Sequence, residues 1–399
     1  MTALLAAVLL AAGAWYAVVL GGFAVGFRRV ARERHAELPD AALPFVSVIV
    51  PARDEAHCIA RCLRAVLAND YPEDRFEVIV VDDLSRDGTA ERVERVQARV
   101  NRPALVPAGF EDDGDPGVER VRLLRMPENL ERSRAHKKRA ITKGIAAARG
   151  AIILTTDADC LVPRRWVRTM AEAFDAETAL VSGPVLYRPG TTAAGQVQAL
   201  EFLGLVAVGA GAIGIGRPTL CNGANVAYRK GVFEALGGFD GLDHLTSGDD
   251  ELFMQKIAYT TGWAVRFCAD RRAAVLTKGA DSLRGFVEQR RRWASKGAHY
   301  PYAGLVAAIA GIYAFYVALL AATLALPVAP ALALPVAAAW GLKALPEAAL
   351  LGPACRHFGR GRLLRYFLPT QPLHLAYIIA MGALGAIGNY EWKGRQIAR

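Results

Sequence analysis

The chain has no CxxC pair; its six cysteines stand at positions 58, 62, 160, 221, 268 and 355. Zinc ribbons and disulfide frameworks need paired spacings, so neither is expected, and unpaired thiols fit a reducing cytoplasm. No Lys or Arg precedes the first apolar run, Thr2 to Phe27, and that run is long for a secretory leader. A cleaved signal peptide is therefore not expected there; an anchor is. The net charge of +10 is not arranged as a basic stripe interleaved with aromatics, which argues against nucleic acid as a partner. The Arg and Lys residues cluster beside the apolar runs and around 284–296, as attraction to anionic membrane lipids would require. No internal repeat or low-complexity segment is visible.

Charge is also missing from three long stretches: 2–27, 300–342 and 366–390. About 20 apolar residues span a bilayer as a helix. With 53% hydrophobic residues overall, the pattern is that of a membrane protein carrying a globular insert. The expected division is an anchor over 1–27, a linker over 28–44 and a cytoplasmic catalytic domain over 45–299 with an interfacial helix at about 281–297. A membrane region over 300–390 and a basic tail over 391–399 follow. Arg28, Arg29, Arg32 and Arg34 follow the first run, so the positive-inside rule places the insert in the cytoplasm. Three more spans after the first would put Lys393, Arg395 and Arg399 on the far side, against the same rule. One stretch, near Pro335–Glu347 or Pro369–Pro372, is then re-entrant or interfacial.

Within the insert, FVSVIVP, FEVIVVDD, VRLLRM and AIILTTDAD read as buried strands, and the segments between them carry helical spacing. Four such alternations imply a parallel sheet covered on both faces, with ligands at the carboxyl ends of the strands. Those ends are acidic: Pro51-Ala52-Arg53-Asp54-Glu55, then Asp82-Asp83, then Asp157-Ala158-Asp159. Any one could be a turn or cap residue; three together, each directly after a buried run, point to a site. Carboxylates with phosphate oxygens suit Mg²⁺ or Mn²⁺. Such an ion would neutralise a leaving diphosphate, which calls for a nucleotide-diphosphate donor. Glu55 and Asp83 are placed to accept hydrogen bonds from a base or ribose, with Ser85, Asp87, Gly88 and Thr89 closing that wall. Lys137 is either a cation near the nucleotide or a solvated helix start. In GGFDGLDHLTSGDDELF, Asp249 and Asp250 open a helix. Capping accounts for one of them, and Asp250 is the candidate general base. EQRRRWASK is either an interfacial helix or the bearer of Gln289, Arg292 and Trp293 for the diphosphate and acceptor.

Taken in order, PARDE, VDDLSRDGT, HKKRAI, DAD, GGFD, DD and QRRRW resemble the membrane-attached, inverting family 2 glycosyltransferases with a GT-A catalytic fold. The resemblance covers about 45–297, and WKGR near the end adds to it. It implies Pro51, Arg53, Glu55, Asp83, Ser85, Lys137 and Asp157 at the nucleotide donor. It further implies Asp157 and Asp159 at the metal, Asp250 with its neighbour Asp249 at the reaction, and Gln289, Arg292 and Trp293 at the diphosphate and acceptor. Asp54 stands where Asn is usual, and Asp249 where Glu is usual. The implied reaction moves a sugar to a hydroxyl of a lipid or glycan acceptor at a bacterial-type cytoplasmic membrane. A processive polysaccharide synthase is the alternative, though it needs more channel-forming helices. A nucleotidyltransferase would want glycines in PARDE, and an inactive assembly partner would have lost its acids.

Overall fold

The computed structural model describes residues 2–101, 119–128, 135–188, 190–241, 248–294, 300, 302–386, 390–392 and 395–397. The acidic loop 111–115, residues 242–247 of the GGFD-to-DD stretch, and Lys393 lie outside them. In chain order the first half runs α1 (Thr2–Val30), β1 (Val46–Ala52), α2 (Ile59–Leu67), β2 (Phe76–Asp82), α3 (Thr89–Val100), β3 (Val121–Arg125), α4 (His136–Ala147), β4 (Ile152–Thr155), α5 (Trp166–Ala171), β5 (Thr178–Ser182) and β6 (Val185–Tyr187). The second half runs α6 (Ala193–Gly214), β7 (Val226–Arg229), α7 (Lys230–Ala235), α8 (Glu251–Thr260), β8 (Ala264–Phe267), β9 (Val275–Thr277), α9 (Leu283–Ala294), α10 (Ala303–Leu324), α11 (Ala333–His357), α12 (Gln371–Ala386), β10 (Tyr390–Trp392) and β11 (Arg395–Ile397). These elements form two compact units: Glu33–Val185 with Cys221–Lys278, and Met1–Arg32 with Leu186–Leu220 and Gly279–Arg399.

The first unit is built on a seven-stranded sheet ordered β3-β2-β1-β4-β7-β5-β8. Strands β3, β2, β1 and β4 are parallel, as the βαβ spacing predicts. Strand β7 enters antiparallel between β4 and β5, an insertion that no alternation in the sequence announces. Strands β1 and β2 pair from Val46–Phe76 to Ala52–Asp82, so their acidic tips finish side by side. Both are buried almost throughout. The two polar residues inside them are satisfied at the opposite end: Ser47 Oγ donates to Glu77 Oε1 at 2.7 Å, and Arg149 N donates to the same oxygen at 2.7 Å. Glu77 is thereby a buried carboxylate that ties the start of β4 to β2.

The second unit is helical. Helices α1, α6, α10 and the segment Pro330–His357 are each long and apolar enough to cross a membrane. Among them α6 was not expected; Gln196, Gln198 and Glu201 interrupt its apolar run and hide it inside the soluble stretch. Its partners are α1 and α11. The α1–α6 crossing brings backbone to backbone: a Cβ on Gly26 would stand 2.0 Å from the Gly211 carbonyl oxygen, and one on Gly214 2.3 Å from that of Gly26. Small residues at such crossings are how helices approach in an apolar solvent. Among the described residues the last apolar stretch forms the 16 residues of α12, about 24 Å of helix against the ~30 Å of a bilayer core. Helix α11 continues unbroken through Lys343, Pro346 and Glu347.

Lys343 and Glu347 sit inside this unit within a joined set of polar groups. Glu347 Oε1 accepts from Tyr16 Oη at 2.7 Å and Tyr316 Oη at 3.0 Å. Its Oε2 accepts from Lys343 Nζ at 3.1 Å and Gln371 Nε2 at 2.9 Å. Lys343 Nζ also donates to Gln371 Oε1 at 2.6 Å. Removing one partner of such a buried pair leaves the other uncompensated. Lys343→Met is expected to cost about 3–5 kcal/mol, seen as a lowered thermal midpoint of the full chain in detergent, with most of it regained in Lys343→Met/Glu347→Leu.

The tip of β2 carries a second testable group. Asp82 is buried, its Oδ1 has no hydrogen-bond partner among the described residues, and burial raises its pKa despite the Ser85 contacts. A folded-state value above the unfolded one penalises the native state as pH rises through it, and not below about pH 3.9, where both states are protonated. Asp82→Asn should raise the thermal midpoint at pH 7, with the gain vanishing below about pH 4.

Candidate active site

The loops after β1 and β2 interlock before either reaches a helix. The Asp83 amide donates to the Ala52 carbonyl at 2.8 Å, extending the ladder one rung beyond the strands. Arg53 Nη1 donates to the Asp83 carbonyl at 2.7 Å and stands 3.7 Å from Asp83 Oδ2. The Asp54 amide donates to Ser85 Oγ at 3.0 Å, and Asp54 Oδ1 accepts from the Arg86 amide at 2.8 Å. Glu55 N donates to Thr89 Oγ1 at 2.8 Å. Asp54 and Leu84 have φ of 51° and 59°, the two non-glycine residues with positive φ among those described. Asn and Asp tolerate that region best, which gives the Asp54 position a backbone reason for either residue. Leu84 has no such tolerance and is held there by the loops on both sides.

Helix α4 brings the other components. His136 Nδ1 lies 3.3 Å from Asp83 Oδ1. The next residue, Lys137, reaches the other way: its Nζ donates to Asp157 Oδ1 at 2.8 Å and lies 3.6 Å from Asp249 Oδ2. Burial works against the charge on Lys137, but Asp157, Asp249 and Asp250 outweigh it and raise the pKa well above that of a free lysine. Lys137 is therefore a fixed cation, not a solvated helix start.

Asp250 caps α8. Its Oδ1 accepts from the Glu251 amide at 2.8 Å and its Oδ2 from the Gly223 amide at 2.8 Å. A Cβ on Gly223 would crowd the pair, standing 3.2 Å from Asp249 Oδ2 and 3.4 Å from Asp250 Oδ2. Thr155 Oγ1 holds the Gly223 carbonyl at 2.8 Å. A small cavity beside the pair is lined by Thr155, Gly223, Tyr228, Asp249 and Asp250.

Asp157, Asp159 and Cys160 each offer a ligand atom, all within 4.8 Å of one another. The Cys160 thiol is pushed far up by burial and by the two aspartates, so it is an uncharged neighbour of two oxygen donors. The donor set thus fits a hard divalent cation.

The sheet edge therefore assembles Arg53, Glu55, Asp83 and Ser85 in one group, and Lys137, Asp157, Asp249 and Asp250 in an adjoining one. Pro51, paired with Val81, ends the strand that carries the first. His136, Gly223 and Cys160 belong to the same surroundings and were not foreseen. His136 and Cys160 are chain neighbours of Lys137 and Asp159, the only hint available, and Gly223 carries no hint. Gln289, Arg292 and Trp293 belong to the helical unit. All three are half-buried on α9. Gln289 Oε1 accepts from Tyr187 Oη at 3.1 Å, and Trp293 packs on Phe202 with ring centres 5.7 Å apart.

A family model for glycosyl transferase family 2 matches residues 47–237, and one for glycosyl transferase family group 2 matches 152–355, just over half of the chain. The glycosyltransferase AglE of Haloferax volcanii is 28% identical over 233 residues, covering 58% of this chain and 66% of that protein. A β-monoglucosyldiacylglycerol synthase of Trichormus variabilis is 40% identical over 72 residues, 18% of this chain and 15% of that one. The chain thus spans less than two thirds of the length of the curated relatives it matches. Among solved structures, the mannosyltransferase PcManGT from Pyrobaculum calidifontis, in complex with GDP-Man and Mn²⁺, is similar over 96% of both chains, at 22% identity and a TM-score of 0.55. The acid-tipped, mostly parallel sheet, the ordered motifs and the family match agree, and the chain belongs to the family 2 glycosyltransferases, with their GT-A fold.

Proposed function

We propose that the protein is an inverting glycosyltransferase that moves a sugar from a nucleotide-diphosphate donor to a hydroxyl of a lipid or lipid-linked acceptor at the membrane. The observation that carries this reading is the convergence of Asp157, Asp249 and Asp250 on Lys137 at the carboxyl edge of the sheet. The GDP-Man held by the structurally similar mannosyltransferase supports the donor class.

Arg53, Glu55, Asp83 and Ser85 would take the nucleoside, with Asp83 kept in orientation by Arg53 and His136. Asp157 and Asp159 would hold Mg²⁺ or Mn²⁺, which when bound supplies Lewis-acid neutralisation of the leaving diphosphate. Lys137 adds a charge that is already in place and needs no reorganisation as the leaving group develops. Asp250 would accept the acceptor hydroxyl's proton. Two backbone amides, those of Gly223 and Glu251, aim its carboxylate, and Asp249 lies beside it, 3.6 Å from Lys137 Nζ. Gln289, Arg292 and Trp293 would serve the diphosphate and acceptor.

The lipid acceptor is supported by the four long apolar helices and by the diacylglycerol named in the Trichormus relative. A processive synthase would need a wider channel-forming bundle. The basic cluster at the end of α1 supports a catalytic unit on the cytoplasmic face of a bacterial-type inner membrane.

Asp250→Asn keeps the size of the side chain, gives up one of its two amide contacts and removes the base. Transfer should fall by about 10²–10⁴-fold while donor binding, measured by titration calorimetry with GDP-mannose, UDP-glucose and UDP-N-acetylglucosamine, stays unchanged. Turnover near wild type would sink the assignment. Chelation with EDTA should abolish release of nucleoside diphosphate from the accepted donor, with Mn²⁺ or Mg²⁺ restoring it. In Asp159→Asn the metal concentration for half-recovery should rise roughly tenfold or more.

A further inference from the structure

We infer that Glu201 and Arg290 are a positioning pair that orients Gln289 as a hydrogen-bond donor and backs Trp293. The inference rests on the assignment of those two residues to the diphosphate and acceptor. Arg290 is an intervening position of the Q-x-x-R-W pattern, where nothing in the spacing asks for a particular residue. Yet it is the one fully buried residue of α9. An ordinary interfacial helix buries an apolar stripe and leaves arginine at the headgroups. Here a guanidinium has been taken inside, and the surroundings compensate it.

Glu201, on the apolar helix α6, forms an ion pair with Arg290. Tyr377 Oη of α12 donates to the other oxygen of Glu201 at 3.2 Å. The guanidinium lies over Trp293 at 4.2 Å and over Phe286 at 4.8 Å, within cation–π range. Its Nη1 donates to Gln289 Oε1 at 3.2 Å, and Tyr187 Oη donates to the same oxygen at 3.1 Å. Tyr187 is in turn stacked on Phe202, ring centres 4.0 Å apart and nearly parallel.

The consequence lies in the Gln289 amide. With both acceptor sites of Oε1 taken by donors, the flipped amide would set its NH₂ against two more N–H or O–H groups. Only one orientation is therefore tolerated. In it Nε2 has no partner among the described residues and is presented as a donor, suited to an oxygen of a phosphate or a hydroxyl. Arg290 thus fixes two neighbours at once, one through its edge and one through its face. Lysine cannot do both.

The test is a double-mutant cycle on the full chain in detergent, with GDP-mannose, UDP-glucose and UDP-N-acetylglucosamine as donors, Mn²⁺ present and extracted membrane lipid as acceptor. Arg290→Met and Glu201→Gln should each lower kcat/KM for transfer roughly tenfold, the size of one charge-assisted hydrogen bond. In a Gln289→Ala background the same changes should cost less than about threefold, since the amide they orient is gone and only the contact behind Trp293 remains. Arg290→Lys should recover the thermal midpoint but not the kcat. Losses that simply multiply with Gln289→Ala, or full activity in Arg290→Met, would overturn the inference while leaving the functional assignment standing. A wild-type chain that turns over none of these donors sinks the assignment, and this inference with it. Should Arg290→Met fail to fold, Glu201→Gln, which preserves side-chain volume, carries the same cycle.

Discussion

One lysine lets an acidic edge exist. Asp157 and Asp249 come from the two separate segments of chain that make up the sheet unit and face the same small volume, with Asp250 beside them. Without a cation they would repel and protonate in turn. Lys137 stands between two of them, at 2.8 and 3.6 Å. Its location is itself unfavourable, because the first turn of a helix carries the positive end of the backbone dipole. The acids compensate the lysine as much as the lysine compensates the acids. The site is therefore a mutual arrangement, not a cation added to a finished cluster.

That reciprocity explains what could be read from the residues and what could not. The buried runs at 46–50 and 76–81 announce their strands through β-branching, and the acids after them announce the edge. The order of PARDE, VDD, DAD, DD and QRRRW carries the family. Asp250 was legible as a helix-opening acid, but capping and base chemistry ask for the same residue in the same place. Lys137 was undecidable, since a solvated helix start and a buried counter-ion have identical local sequence. Gly223 and His136 were invisible, because their meaning comes from contacts to residues distant in the chain, Asp250 and Thr155 for the one and Asp83 for the other. Strand β7 was missed because an antiparallel entry breaks the alternation that identified its neighbours.

The helical unit shows the same limit in another form. Hydropathy marks α1, α10 and α11, whereas three polar side chains were enough to conceal α6. One of the three, Glu201, is a partner of Arg290, so the feature that hid the helix is the feature that ties it to α9. Lys343 and Glu347 made their stretch one of two expected to be re-entrant or interfacial. They stand four residues apart on one continuous helix, with Tyr16, Tyr316 and Gln371 closing around them. A charged pair in an apolar run need not end the run when neighbouring helices supply every remaining hydrogen bond.

The glycine contact between α1 and α6 bears on how the chain is made. During synthesis α1 emerges before α6, with its packing face unmatched, and the strands β1 to β5 come between them. Until residues 193–214 leave the ribosome, Gly26 has nothing to meet. Most of the sheet must therefore be synthesised while the first helix waits for its mate, and the closing of Gly26 onto Gly211 is a late event in biogenesis, tied to the completion of a domain of different architecture.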